Sequence, residues 1–359
     1  MKQTTPTQTD APRLLEDILQ QAEKAGASDI HLQTLPSGAQ VQFRLDGVMT
    51  PPMAVSGEIA GRLFGRIKFL ARLKTYQESL PQDGRIDRAD VSTRCDLRVS
   101  TYPTVTGEKI VLRLFGASAA PALAELGFPE SAEAELERFL KLSAGLLLLT
   151  GPAGSGKTTT IHACLAGLAA QGGRHVITVE DPVERVIPGI MQTEVNEARG
   201  LTFAAAARHL LRQDPQVLVL GEIRDEESAG IAVRAALTGH LMISTLHAGS
   251  CAGVWERLQV LCPDHAAALS ALELVFNQRL LRRVCRECAG TGCATCLHTG
   301  YKGRAPVAEW VRVDASARRG IRERGTDAIT PSRSLEDAAR ALAAAGVTNS
   351  TECDRCFPR

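Results

Sequence analysis

Residues 151–158 read GPAGSGKT, a complete G-x-x-x-x-G-K-[ST] pattern, entered from the apolar run 145–149 and left through the helix-like stretch 159–170. That context makes it a phosphate-binding loop. Successive backbone N–H groups must turn inward around phosphate oxygens, and side chains at Gly151, Gly154 or Gly156 would hinder the approach. Pro152, Ala153 and Ser155 complete the loop, Lys157 is placed to reach the β- and γ-phosphates, and the Thr158 hydroxyl to hold Mg²⁺, with Thr159 beside it. The following helix adds its positive N-terminal end beneath the charge. A nucleotide, ATP with Mg²⁺, is the expected ligand.

The chain has 359 residues, enough for two or three domains that each bury a core. Hydrophobic residues make up 44% and charged ones 23%, ordinary for a globular protein. No apolar run approaches the roughly 20 residues that span a bilayer. The start is polar and Pro/Thr-rich, without a basic region followed by an apolar one, and reads as a disordered lead. Any membrane contact is therefore expected to be peripheral. With 41 basic and 40 acidic residues, and aromatics at only 4%, direct nucleic-acid binding is not expected. Ten cysteines without an export signal point to reduced thiols or a metal, and to the cytosol.

The organisation changes along the chain. After the lead, residues 13–24 space Leu14, Leu15, Ile18, Leu19 and Ala22 as an amphipathic helix that Gly26 stops. Strand-like alternation follows at 31–33 and 41–45, with Asp46-Gly47 as a hairpin turn. A helical stretch over 59–73 and strands at 96–99 and 109–115, around a turn at Thr106-Gly107, complete an α+β module. The Ala/Pro-rich passage 117–124 reads as linker. Beyond it, buried strands at 146–149, 175–179, 217–220 and 241–245 alternate with helices, which specifies an α/β fold with a largely parallel sheet covered on both faces. Catalytic groups should lie at the strands' carboxyl ends.

Two of those ends carry acids. Glu180 and Asp181 close the strand in VITVEDPVER, where a carboxylate beside the phosphate loop can polarise an attacking water, or simply stand in a solvated acidic loop. In QVLVLGEIRD, four apolar residues deliver Glu222 to the same edge, where it can bind Mg²⁺ directly or through water. This resembles a Walker B strand, with Gly-Glu where most end in aspartate, so the division of labour between Glu180 and Glu222 stays open. Arg208 and Arg212 sit four apart, one helical face that either clamps phosphate or faces solvent. His240 and His247 bracket the last apolar strand, as nucleotide sensors or as structural histidines. Cys285, Cys288, Cys293 and Cys296 form C-x-x-C-x-x-x-x-C-x-x-C, two chelating turns whose four thiolates suit a structural zinc, with a redox dithiol as the other reading. Cys353 and Cys356 form a third pair, read as free thiols.

Together these residues resemble the GspE/PulE/PilB family of secretion and type IV pilus assembly ATPases over about residues 27–304. The blocks are ASDIHLQ from Ala27, FRLDG from Phe43, LPQDGRI from Leu80, RVSTYPTVTGEKIVLRL from Arg98, EDPVE from Glu180, TEVNEARGLTF from Thr193, LRQDP from Leu211, GEIRD from Gly221, ALTGHLMISTLHAGS from Ala236, and the tetracysteine element running into GYKGR. The resemblance implies a disordered lead (1–12), a PAS-like domain (13–118), a linker (119–130), a RecA-like ATPase domain (131–284), a tetracysteine zinc element (285–304) and a helical tail (305–359). It makes Glu180 the catalytic glutamate, Glu222 the Walker B acid and His247 part of a His box. It makes Arg85 and Arg98, with Arg208 and Arg212, the residues that sense the γ-phosphate.

The same resemblance implies a cytoplasmic homo-hexamer, peripheral to the inner membrane, that uses ATP to drive an inner-membrane platform protein of the GspF/PilC type and, through it, pilins or pseudopilins. Full-length secretion members carry a further N-terminal docking domain, and that recruitment route is expected to be absent here. A PilT-like retraction motor and a DNA-translocating conjugation or type IV secretion ATPase are the alternatives; the tetracysteine element favours assembly over both.

Overall fold

The computed structural model describes residues 10–91, 93–115 and 120–358. Most of the lead expected over 1–12, and residues 116–119 at the expected linker, lie outside them. The chain divides into two compact units. One takes in the described residues before 116 together with Val284–Gly303; the other takes in those from 120 to Arg283 and from Arg304 onward.

In the first unit, α1 (Ala11–Ala25) buries Leu15, Ile18, Leu19 and Ala22 and ends at Gly26 in the left-handed region. It begins at Ala11, inside the segment expected to be disordered, with Pro12 in its first turn, where a missing N–H costs nothing. The strands are β1 (Asp29–Leu35), β2 (Gly38–Leu45), β3 (Val48–Met49), β4 (Met53–Ser56), β5 (Gln82–Ile86), β6 (Asp96–Thr104) and β7 (Gly107–Phe115), with α2 (Gly57–Leu70) between β4 and β5. They form one sheet in the order β3-β2-β1-β7-β6-β5, with β4 also on β2. Asp46 and Gly47, both at positive φ, make the β2–β3 hairpin. Strand β5 was not anticipated, because QDGRI is almost wholly polar. The tetracysteine segment belongs with this unit and is not a free-standing element: Leu297 packs on its core, and the Gly303 N–H donates to Asp46 Oδ2 at 2.7 Å.

The second unit runs α3 (Glu130–Leu140), β8 (Gly145–Thr150), α4 (Lys157–Gln171), β9 (Val176–Glu180), β10 (Met191–Glu194), α5 (Phe203–Leu210), β11 (Val217–Leu220), α6 (Glu226–Leu237), β12 (Leu241–Leu246), α7 (Cys251–Leu261), α8 (His265–Ala271), β13 (Leu272–Val284), β14 (Tyr301–Arg312), α9 (Ala315–Arg324), α10 (Leu335–Ala344) and α11 (Ser350–Cys356). Its sheet has the order β10-β9-β11-β12-β8-β13-β14, and the pairs from β10 to β13 are parallel. Alternate residues of the apolar strands enter two separate cores: Leu146, Leu148, Leu218 and Leu220 one, Leu147, Leu149, Val217 and Val219 the other. Because successive side chains point to opposite faces, the sheet is covered on both sides.

The region expected as a helical tail from 305 opens instead with β14, which runs to Arg312. Only then do helices follow. The last of them, α11, is fastened by Glu352, whose side chain is fully buried. Its carboxylate accepts from Arg282 Nε (2.8 Å), the Arg282 N–H (2.9 Å) and Arg355 Nε (2.7 Å). Burial pushes its pKa up, but the bonds from Arg355 and Arg282 outweigh this and bring it from 4.5 to about 2. The folded pKa lies below the unfolded one, so this stabilisation is complete above about pH 4.5 and lost as pH falls towards about 2. At about 1.4 kcal/mol per pKa unit it amounts to about 3 kcal/mol. Urea unfolding should therefore find Glu352→Gln less stable than wild type by that order at pH 7, with the gap closing below pH 4.5.

Candidate functional site

Strand β8 is followed by the phosphate loop, and α4 begins at Lys157. The loop runs close against β13: a Cβ on Gly151, whose φ is +137°, would lie 2.5 Å from the Gln278 carbonyl oxygen and 2.7 Å from Ser155 Oγ. On Gly156 it would meet Gln278 Nε2 at 3.1 Å. Gly154 differs, since a Cβ there meets nothing within 4 Å and only its φ of +75° asks for glycine. Gln278 is buried; its amide donates to the Ser155 carbonyl (2.8 Å) and accepts from Thr160 Oγ1 (3.0 Å), clamping the loop from both sides. Lys157 donates to the carbonyls of Gly151 (2.8 Å) and Pro152 (3.0 Å). Burial and then Arg279 push its pKa down, against the pull of Glu222.

A cleft of about 400 Å³ opens here, lined among others by Gly154, Lys157, Thr158, Glu180, Glu222 and His247. Thr159, Ala153 and Gly156 line it too, while Gly151, Pro152 and Ser155 shape the loop behind. Glu180, at the end of β9, is 7% exposed. Its Oε1 accepts from Thr178 Oγ1 (2.6 Å) and Gln192 Nε2 (2.8 Å), and its Oε2 lies 3.2 Å from His162 Nε2. Burial raises its pKa, but the hydrogen bonds from His162, Thr178 and Gln192 prevail and leave it lowered. Glu180 is thus ionised at neutral pH. Glu222 is more open, paired with Arg224 and 3.5 Å from His247 Nε2. Arg224 also reaches Asp181 Oδ2 (3.3 Å) and lies over the Phe203 ring. The two acids therefore differ: one is immobilised by hydrogen bonds from His162, Thr178 and Gln192, the other is held by an arginine.

Arg224, His162 and Gln278 were not singled out from sequence. GEIRD carried the first; nothing in a helix or a β-strand marks the other two. Arg208 and Arg212 do not share a helical face, because α5 ends at Leu210 and Arg212 lies in the turn beyond it. Arg208 pairs with Glu227, and neither arginine lines the cleft. His240 holds the Ala235 carbonyl through Nδ1 (3.0 Å), a local role. On the first unit, Arg85 and Arg98 stand opposite one another across β5 and β6, both exposed and without an ion-pair partner among the described residues. Like charges so placed repel, so the pair is retained against a small cost.

The four sulfurs of Cys285, Cys288, Cys293 and Cys296 lie within 4.8 Å of one another. Contacts of 3.9 Å (Cys285–Cys293), 3.8 Å (Cys288–Cys296) and 3.7 Å (Cys293–Cys296) match the edge of a tetrahedron with metal–sulfur bonds of about 2.3 Å. The N–H groups of Gly292 (3.2 Å, to Cys288) and Gly300 (3.3 Å, to Cys296) point at sulfur. The donor set fits zinc. Cys353 and Cys356 belong to the second unit, where their thiols donate to the carbonyls of Ala339 and Leu280.

A family model described as "Type II/IV secretion system protein" matches residues 7–355. The chain belongs to that family. It is 39% identical to each of two curated members: to the "Type II secretion system ATPase E" of Vibrio cholerae over 336 aligned residues, 86% of this chain and 67% of that one, and to the "Type II secretion system protein E" of Klebsiella pneumoniae over 379, 96% and 75%. The "Protein transport protein HofB homolog" of Haemophilus influenzae is 43% identical over 83% of this chain and 65% of its own length. The chain thus spans about two thirds to three quarters of these relatives. Among solved structures, the "Pilus Retraction Motor PilT and Bound ADP" superposes with a TM-score of 0.69 at 26% identity, covering 96% of this chain and 97% of that one. The Legionella pneumophila ATPase DotB does so with 0.76 at 21%, over 98% and 97%, a likeness of fold. With its family, this chain is an ATPase with an α/β P-loop core.

The loop geometry separates its glycines. Gly151→Ala should weaken binding of a fluorescent ATP analogue at least ~100-fold, since backbone must shift, whereas Gly154→Ala should cost only the left-handed strain of about 1–2 kcal/mol, at most about 30-fold. Equal effects would contradict the close approach of β13.

Proposed function

We propose that the chain works as a homo-hexameric motor on the cytoplasmic side of the inner membrane, using ATP to extend a type II secretion pseudopilus or a type IV pilus through a membrane platform protein. The observation that carries the reading is the convergence of Lys157, Thr158, Glu180 and Glu222 on one cleft. Among the described residues no helix is long and apolar enough to cross a membrane, which agrees with a peripheral seat.

The residues divide the work by their surroundings. Lys157 neutralises the β- and γ-phosphates, and Thr158 with Glu222 would hold Mg²⁺, which draws charge off the leaving phosphate. Glu180, ionised and fixed, takes the proton of the attacking water as its oxygen bonds to the γ-phosphorus and the bond to the β–γ bridging oxygen breaks. Such a transition state asks for positioning more than for strong basicity, so a carboxylate of lowered pKa suffices. His247, beside Glu222, and the exposed pair Arg85 and Arg98 are assigned recognition of the γ-phosphate, for which unpaired guanidinium groups are suited. Arg208 and Arg212 join them only if Arg208 leaves Glu227. The tetracysteine cluster holds a structural zinc, because four protein thiolates leave no place for a substrate.

A retraction motor is the second reading, favoured by the likeness to PilT; curated relatives at about 40% identity that carry secretion names stand against it. Steady-state turnover tests the motor. Wild type with Mg²⁺ should hydrolyse ATP, and Lys157→Ala and Glu222→Gln should lose it by at least ~100-fold; a wild type without turnover in any assembled state would sink the proposal. Metal analysis of reductively purified protein should find about one zinc per chain, and none would refute the zinc assignment.

A further inference from the structure

The carboxylate of Glu180 is not symmetric in its surroundings. Oε1 accepts two hydrogen bonds, from Thr178 Oγ1 (2.6 Å) and Gln192 Nε2 (2.8 Å), which use both of its lone pairs. Oε2 accepts one, from His162. Only Oε2 keeps a lone pair for a proton. Since the ionised carboxylate has no hydrogen to give, the His162 Nε2 must carry it, which fixes the state of the ring at this atom.

His162 is buried, 3% exposed, in the second turn of α4. It follows Thr158 by four residues, so the two lie on one face of the helix, one turn apart. Thr158 lines the cleft; His162 sits beneath it and grips the acid at the end of the neighbouring strand β9. A buried imidazole spent on one bond to a buried carboxylate is costly to keep as packing alone, because an apolar side chain of the same volume would fill the space without a polar atom to satisfy.

From this we infer that His162 is a positioning residue for hydrolysis: it orients Glu180 so that the free lone pair of Oε2 faces the attacking water, and it ties that orientation to the helix that carries the phosphate loop. The inference rests on the reading of Glu180 as the group that accepts the water's proton. In the step itself the water proton passes to Glu180 Oε2, and His162 donates its hydrogen bond to the same atom throughout without transferring a proton.

The test uses the full chain and five proteins: wild type, His162→Ala, His162→Gln, Glu180→Gln and the His162→Ala/Glu180→Gln double variant that completes a cycle. Gln carries an N–H donor near the place of the ring Nε2. His162→Ala should lower kcat by about 10- to 100-fold, the range that misplacing a catalytic group by about an ångström costs. KM for ATP and affinity for a non-hydrolysable ATP analogue should stay within about 2-fold, since only the transition state is affected. His162→Gln should recover most of the rate, and His162→Ala should add nothing in the Glu180→Gln background. Wild-type kcat in both His162 variants would overturn the inference. So would parallel loss of kcat, analogue affinity and thermal stability that Gln does not restore, which is the pattern of a packing residue. Wild-type turnover by Glu180→Gln would instead overturn the reading of Glu180 and take the inference with it.

Discussion

A carboxylate that is almost wholly buried, with no lysine or arginine among its hydrogen-bond partners in the described residues, dictates much of the architecture around the cleft. Left without donors, Glu180 would cost several kcal/mol and would take up a proton. It stays ionised because three elements each bring a donor: His162 from α4, Thr178 from β9 and Gln192 from β10. That requirement explains why a polar strand such as β10 sits at the sheet edge. Gln192 also donates to the Arg185 carbonyl (2.9 Å) and accepts from the Ile187 N–H (2.6 Å), so the loop from β9 to β10 is folded around the same amide. The acid, the loop beside it and the first helix of the phosphate site are one hydrogen-bonded body.

The phosphate loop depends on a comparable constraint from the other side. Strand β13 presses its backbone against Gly151 and its Gln278 side chain against Ser155 and Thr160, so the loop is held from β13 as the acid is held from β10. Between these two clamps, Lys157, Thr158 and Glu222 line the cleft. The site is preorganised by hydrogen bonds within the protein, so little reorganisation is left for the moment of reaction.

How much of this the sequence disclosed depended on burial. Strands β8, β9, β11 and β12 are apolar end to end because both faces are covered, and each was legible as a run. Strands β5 and β10 were not, since QDGRI and MQTE lie at sheet edges and carry almost no apolar pattern. The expected arginine face failed for a local reason: Pro215 disfavours helix at the residue before it, Asp214 adopts φ +53°, and α5 has ended by then. Glu180 and Glu222 were legible as acids at strand ends. Their difference was not, because two of the three donors that hold Glu180, Gln192 and His162, come from residues 12 and 18 positions away on other elements, a separation no local spacing encodes. The tetracysteine spacing did predict clustered sulfurs, since two chelating turns fix four donors almost by themselves.

The account turns on Glu180 acting in the chemical step and Glu222 in holding the metal. Single-turnover hydrolysis by preassembled protein, with Mg²⁺-dependent nucleotide affinity measured on the same preparation, separates the two most directly. Glu180→Gln should bind MgATP as wild type does and slow the chemical step by about 10² to 10⁴-fold, while Glu222→Gln should lose the Mg²⁺ dependence of binding. A Glu180→Gln protein that hydrolyses at the wild-type rate, or that loses metal-dependent affinity in place of Glu222→Gln, would contradict it.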